Sequence, residues 1–145
     1  MSMSRMESIM GRHELREQIF LFLFCAEFHD VKEMPRQARL FLENTDTVIT
    51  QAESEVIETK ASLVLAKLPE IDRLINENTE GWDTTRMGKV ELTTLRLAVY
   101  ELRFDEEIPA GVAINEAVEI AKKYGTENSG GFVNAILGKI AKLEV

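Results

Sequence analysis

The sequence predicts an all-α protein of about seven helices, and three observations carry that prediction. Apolar residues recur at helical spacing almost everywhere along the 145 residues. No run alternates with period two between turn signals, as a half-buried strand would. Pro35 and Pro69 fit first-turn positions, and Gly81 breaks the chain just before Trp82.

Taken in order, the pattern gives helices near residues 10–28, 34–44, 48–67, 69–78, 89–104, 111–124 and 129–143. The first carries a core stripe of Leu15, Ile19, Phe22 and Ala26. Arg12, His13, Arg16, Phe20 and Phe24 fall on a different face, so cations and aromatic rings share one surface. The helix from Lys89 to Phe104 has two apolar stripes, Leu92, Leu95, Val99 and Leu102 on one side and Val90, Leu97 and Phe104 on another. A helix so patterned packs against two layers, which suits a central helix shared by two small bundles. Glu91, in its first turn, favours the helix dipole and faces away from both stripes, which leaves its charge available to a basic partner.

The stretch VAINEAVEIAKKYGTENSGGFVNAIL, from Val112 to Leu137, is the most strongly patterned in the chain. Pro109 fixes φ ahead of its first helix, and Gly125 is placed to end that helix in the left-handed conformation. Thr126 to Ser129 then offer N-cap side chains for the last helix. Gly130 and Gly131 in its first turn leave backbone N–H groups uncovered at the positive end of the dipole, where an anion can approach. Val133, Ile136, Leu137 and Ile140 make the core stripe, and Phe132 lies at its edge, about 40° beyond Ile136. An edge aromatic serves as packing, as an exposed platform, or as both.

Composition narrows the function. A length of 145 residues with 45% apolar content suits one compact domain over residues 10–145. Residues 1–9, MSMSRMESI, read as a disordered N-terminal extension or the product of an upstream start codon. The longest apolar run, Ile19 to Ala26, is far short of the roughly 18 residues of a membrane span, and no signal pattern opens the chain, so a cytoplasmic protein is expected. Cys25 and His29 are one helical turn apart but offer only two ligands, so neither a metal nor a cofactor is expected. No phosphate loop of Walker type, GxSxG, HExxH or paired-cysteine motif occurs, which argues against an enzyme.

The net charge of −8 argues against a protein that coats nucleic acid by charge alone. Its distribution is uneven: 6 Lys/Arg against 6 Asp/Glu over residues 1–42, 3 against 9 over 43–80, and 8 against 10 over 81–145. The acidic excess lies in the middle, so the two ends are where a polyanion is tolerated. Cations there neutralise phosphates and aromatic rings stack on unpaired bases, the chemistry of single-strand recognition.

Three segments together carry a family resemblance: GKVELTTLRLAVYEL from Gly88, IPAGVAINEAVEIAKKYG from Ile108 and ENSGGFVN from Glu127. With REQIFLFLF from Arg16 fitting the first helix, the chain from about Met10 to about Lys142 resembles the NusB family of bacterial transcription antitermination factors, residues 30–80 only loosely. The resemblance implies two helical bundles sharing a central helix, and binding to the boxA element of nascent ribosomal RNA together with NusE, a small-subunit ribosomal protein. It implies action within the RNA polymerase antitermination complex, with homodimerisation left open. Carried over by position, it places Arg12, His13, Arg16, Asn128, Ser129 and Phe132 on the RNA surface, and Phe24 and Glu91 towards NusE. His13 and Glu14 stand where many members carry Arg, and Asn128 where Asp is common, so weaker binding by the free protein and more reliance on NusE are expected.

Two other readings stay open at this point. One is a protein-only helical adaptor or self-associating module with little RNA affinity, motivated by the negative charge and the thin arginine motif. The other is an accessory domain of an RNA-modifying enzyme, because NusB-like domains also occur fused to ribosomal RNA methyltransferases. No catalytic domain is expected beyond Val145, so that reading needs a separate chain.

Overall fold

The computed structural model describes residues 11–27 and 49–143. The described residues form helices and connecting turns, as the periodicity predicts. Six helices occupy them: α1 (Arg12–Cys25), α2 (Gln51–Ala66), α3 (Leu68–Glu77), α4 (Lys89–Phe104), α5 (Ala110–Tyr124) and α6 (Ser129–Lys142). The helix expected near 34–44, with Pro35, lies outside the described residues, as do His29 and residues 1–9. The chain divides into two compact units, Met1–Ser62 and Leu63–Val145, so the division falls within α2.

In the first unit, α2 starts at a reciprocal cap. The Thr50 N–H donates to Glu53 Oε1 at 3.0 Å while the Glu53 N–H donates to Thr50 Oγ1 at 3.1 Å, which satisfies two donors the helix would otherwise leave open. The pattern of α1 is less regular than its sequence stripe implied. Ile19 is buried, but Phe22 is 42% exposed and Ala26 is exposed, whereas Phe20, placed on a different face, is only 1% exposed. The reason is that Ile19 to Ala26 is apolar all round, so spacing alone could not say which side turns inward. Phe22 and Ala26 instead line an open apolar groove with Leu21, Cys25, Ile49 and Ile57. Partial burial raises the Cys25 thiol pKa above its ordinary value, an effect a backbone hydrogen bond partly offsets.

The second unit is built around α4, which packs against α3, α5 and α6. Both predicted stripes turn inward: Leu92, Leu95, Leu97, Val99 and Leu102 are buried, with Val90 and Phe104 half-buried at the ends. Burial extends further, to Thr93, Thr94, Ala98, Tyr100 and Glu101, so α4 is enclosed on nearly every side. Ala113, Ala117 and Ala121 on α5 are small enough to let neighbouring helices approach closely. Val133, Ile136, Leu137 and Ile140 of α6 close the core as the spacing predicts.

Polar contacts fix the helices against one another. Arg96 of α4 grips Asp72 of α3 with two parallel hydrogen bonds, Nε to Oδ1 at 2.9 Å and Nη2 to Oδ2 at 2.8 Å. Such a fork sets angle as well as distance. Arg96→Ala is expected to lower stability by about 1–2 kcal/mol, a partly solvated charged pair being worth less than a buried one. Urea denaturation checks this, and an unchanged midpoint would make the fork energetically idle. Gly81, with φ of +83°, turns the chain between α3 and α4, and the Arg86 guanidinium donates to its carbonyl at 3.2 Å.

Candidate nucleic-acid interface

The predicted residues fall into two groups, one in each unit. On α1, Arg12 and His13 are exposed at the first turn, with His13 Nε2 3.8 Å from Glu17 Oε2 one turn on. Arg16, also placed on the RNA surface by the family resemblance, is only 9% exposed. Phe24 is half-buried and stacks on Phe20, with ring centroids 5.8 Å apart and planes 19° apart. Phe20 therefore belongs to the core, and the mixed basic and aromatic face shrinks to Arg12, His13 and the outer side of Phe24.

The second group lies where α5 hands over to α6. Pro109 caps α5 at φ −61° as predicted, and its carbonyl accepts the Val112 and Ala113 N–H groups, both at 3.0 Å. At the other end Gly125 has φ −101°, not the left-handed conformation that was expected. Glycine is required there for space: a Cβ would lie 2.7 Å from the Ala121 carbonyl oxygen and 2.8 Å from Ser129 Cβ. The turn brings Ser129 back against the end of α5.

Ser129 is the hub of this corner, only 2% exposed. Its hydroxyl donates to Glu91 Oε2 on α4 and accepts the Thr126 N–H at 2.9 Å. Thr126 Oγ1 lies 3.2 Å away, and because the serine proton is already committed to Glu91, the threonine hydroxyl is the donor of that pair. One donor and two lone pairs are thereby used up, so Ser129 brings no side-chain hydrogen bond to a ligand in this arrangement. Glu91 is correspondingly half-buried and engaged within the fold, rather than simply presented to a partner as its position on α4 implied.

Around this hub the turn is open. Asn128 is exposed and its side chain makes no capping hydrogen bond, so the expectation that this turn caps α6 through its side chains is corrected. Gly131 is exposed with open space where a Cβ would stand, whereas Gly130 is buried against Lys122 and Val118. Only the Gly131 side of the glycine pair therefore remains uncovered for an approaching anion. Phe132 is half-buried at the rim, where an edge position on the wheel predicts it. Nearby, Lys122 Nζ lies 3.9 Å from Glu119 Oε2, both side chains well solvated.

The described residues are all helices and turns, with an exposed polar turn and a half-buried aromatic residue at the start of the last helix. The NusB family pattern matches residues 13–142, and the chain belongs to that family. It is 48% identical to the transcription antitermination protein NusB of Agathobacter rectalis over 91% of this chain and all of that one. Among solved structures it is similar to Thermotoga maritima NusB, at TM-score 0.75 and 39% identity with 92% of each chain covered. It is also similar to a NusB solved with NusE and double-stranded RNA, at TM-score 0.66 and 26% identity, covering 92% of this chain and 99% of that one.

Sequence reasoning missed two features and misassigned the cause of a third. The Glu91–Ser129 bond spans 38 residues and has no local signal. The demand for glycine at Gly125 was seen, but its cause was misassigned. The Thr50–Glu53 cap was readable from its spacing alone, Thr-x-x-Glu ahead of an apolar run.

Proposed function

We propose that this protein is a cytoplasmic transcription antitermination factor, without enzymatic activity, that binds boxA-type single-stranded RNA of ribosomal RNA operons as a heterodimer with NusE. In that role it helps RNA polymerase read through terminators. The observation that carries the reading is the start of α6, where exposed Asn128, the uncovered Gly131 backbone and half-buried Phe132 lie side by side. Backbone N–H groups at a helix start suit a phosphate, a carboxamide suits base edges, and an aromatic face suits an unstacked base. The related NusB solved with NusE and RNA supports both partners. In this reading Arg12 and His13 also contact the RNA, and Phe24 and Glu91 contact NusE.

Electrophoretic mobility shifts with a boxA-like RNA, with and without NusE, test the reading directly. A retarded band that sharpens with NusE is the expected result. No shift under either condition would favour the protein-only adaptor, towards which the net charge of −8 leans.

Arg12 gives the cleanest test of phosphate contact on α1, because it is exposed while Arg16 is packed. Arg12→Ala is expected to make the slope of log K against log salt shallower by about 0.7, the value for one phosphate of a single strand. An unchanged slope would make Arg12 a solvated charge.

A further inference from the structure

Ser129 and Glu91 were each expected to touch a partner, yet their side chains meet each other. The Ser129 hydroxyl donates to Glu91 Oε2 while receiving both polar groups of Thr126, so a single oxygen ties α4, the α5–α6 turn and the first turn of α6 together. Two glycines make room for the link. A Cβ on Gly88 would collide with Glu91 Oε1, and a Cβ on Gly125 would collide with Ser129 Oγ.

We infer that the Glu91–Ser129 hydrogen bond is a positioning device for RNA recognition: it sets the first turn of α6 so that Asn128 and Phe132 are held ready before RNA arrives. Asn128 precedes Ser129 and Phe132 follows it within one helical turn, with the Phe132 N–H donating to the Asn128 carbonyl at 3.2 Å. The tilt of that turn, and with it the attitude of the aromatic face, depends on where Ser129 is anchored. Groups fixed in advance lose less freedom on binding, so the anchor contributes to affinity without touching RNA. Ser129 and Glu91 are thus positioning residues towards the RNA, a role that rests on the RNA-binding reading proposed above. Any contact of Glu91 with NusE is a separate property of the same side chain.

The test is a titration of a fluorescent boxA-like single-stranded RNA with the full chain, without NusE, read by anisotropy. Ser129→Ala and Glu91→Ala are each expected to weaken binding by about three- to tenfold, the span of one hydrogen bond's net contribution. The double variant is expected to lose no more than either single one, because both remove the same bond. Glu91→Gln keeps an acceptor oxygen for the serine proton and is expected to recover most of the loss, which a purely electrostatic role of the carboxylate would not permit. Gly88→Ala, which displaces the carboxylate while leaving both partners in place, is expected to weaken binding in the same direction. In Glu91→Ala the Thr126 amide is expected to exchange its hydrogen faster, reporting a loosened turn in the absence of RNA. Losses that multiply in the double variant, or no recovery with glutamine, would overturn the inference while leaving RNA binding itself in place. A wild-type chain that binds no RNA either alone or with NusE would overturn both.

Discussion

Glu91→Lys is expected to weaken pairing with NusE by about 2–5 kcal/mol, the range for losing a desolvated charge pair at an interface. Glu91 stands in the first turn of α4 and is only partly buried. Reversing its sign places like charges together where water is excluded. Lysine also removes the acceptor of the Ser129 hydroxyl, so RNA binding by the isolated protein is expected to fall with it. The fold itself is expected to lose about 1–2 kcal/mol, from an unfavourable charge at the helix start and one lost hydrogen bond. Calorimetric titration of NusE into the variant decides the matter, with Glu91→Gln separating charge from hydrogen bonding. Wild-type NusE affinity in the lysine variant would remove Glu91 from the interface.

Phe132→Ala is expected to weaken RNA binding by about 1–3 kcal/mol, the usual worth of one base stacked on an aromatic ring. Its half-buried position makes two effects separable. The buried part of the ring is expected to contribute about 1–2 kcal/mol to stability, and the exposed part to contribute to RNA affinity. Phe132→Leu keeps much of the apolar contact but no aromatic face, so it is expected to restore the melting temperature more fully than the affinity. Equal RNA affinity in a well-folded alanine variant would reduce Phe132 to a packing residue.

The helices were legible because their causes are local. Pro109 ahead of α5, Pro69 in the first turn of α3 and the three- and four-residue spacing of Val133, Ile136, Leu137 and Ile140 each act within a turn or two of chain. The two-sided burial of α4 was legible for the same reason, since two stripes on one helix require two neighbours. On α1 the same logic failed. Where every residue from Ile19 to Ala26 is apolar, the hydrophobic effect favours burial of any face, and neighbouring elements decide that Phe20 goes in and Phe22 stays out.

The sequence by itself determined the helical class, the central place of α4 and the family, and it put Asn128 and Phe132 beside an accessible helix start. These depend on periodicity, on turn chemistry and on motifs that are contiguous in the chain. Only the tertiary structure decided that Ser129 faces Glu91 instead of solvent, that Arg16 is packed while Arg12 is not, and that Gly125 is needed for close approach rather than for a left-handed turn. Those outcomes turn on groups brought together by packing, 38 residues apart in the case of Glu91 and Ser129. A hydrogen bond needs its two atoms within a few tenths of an ångström of the right place. Helical periodicity fixes which face a residue shares, and only the docking of one helix on another fixes what that face meets.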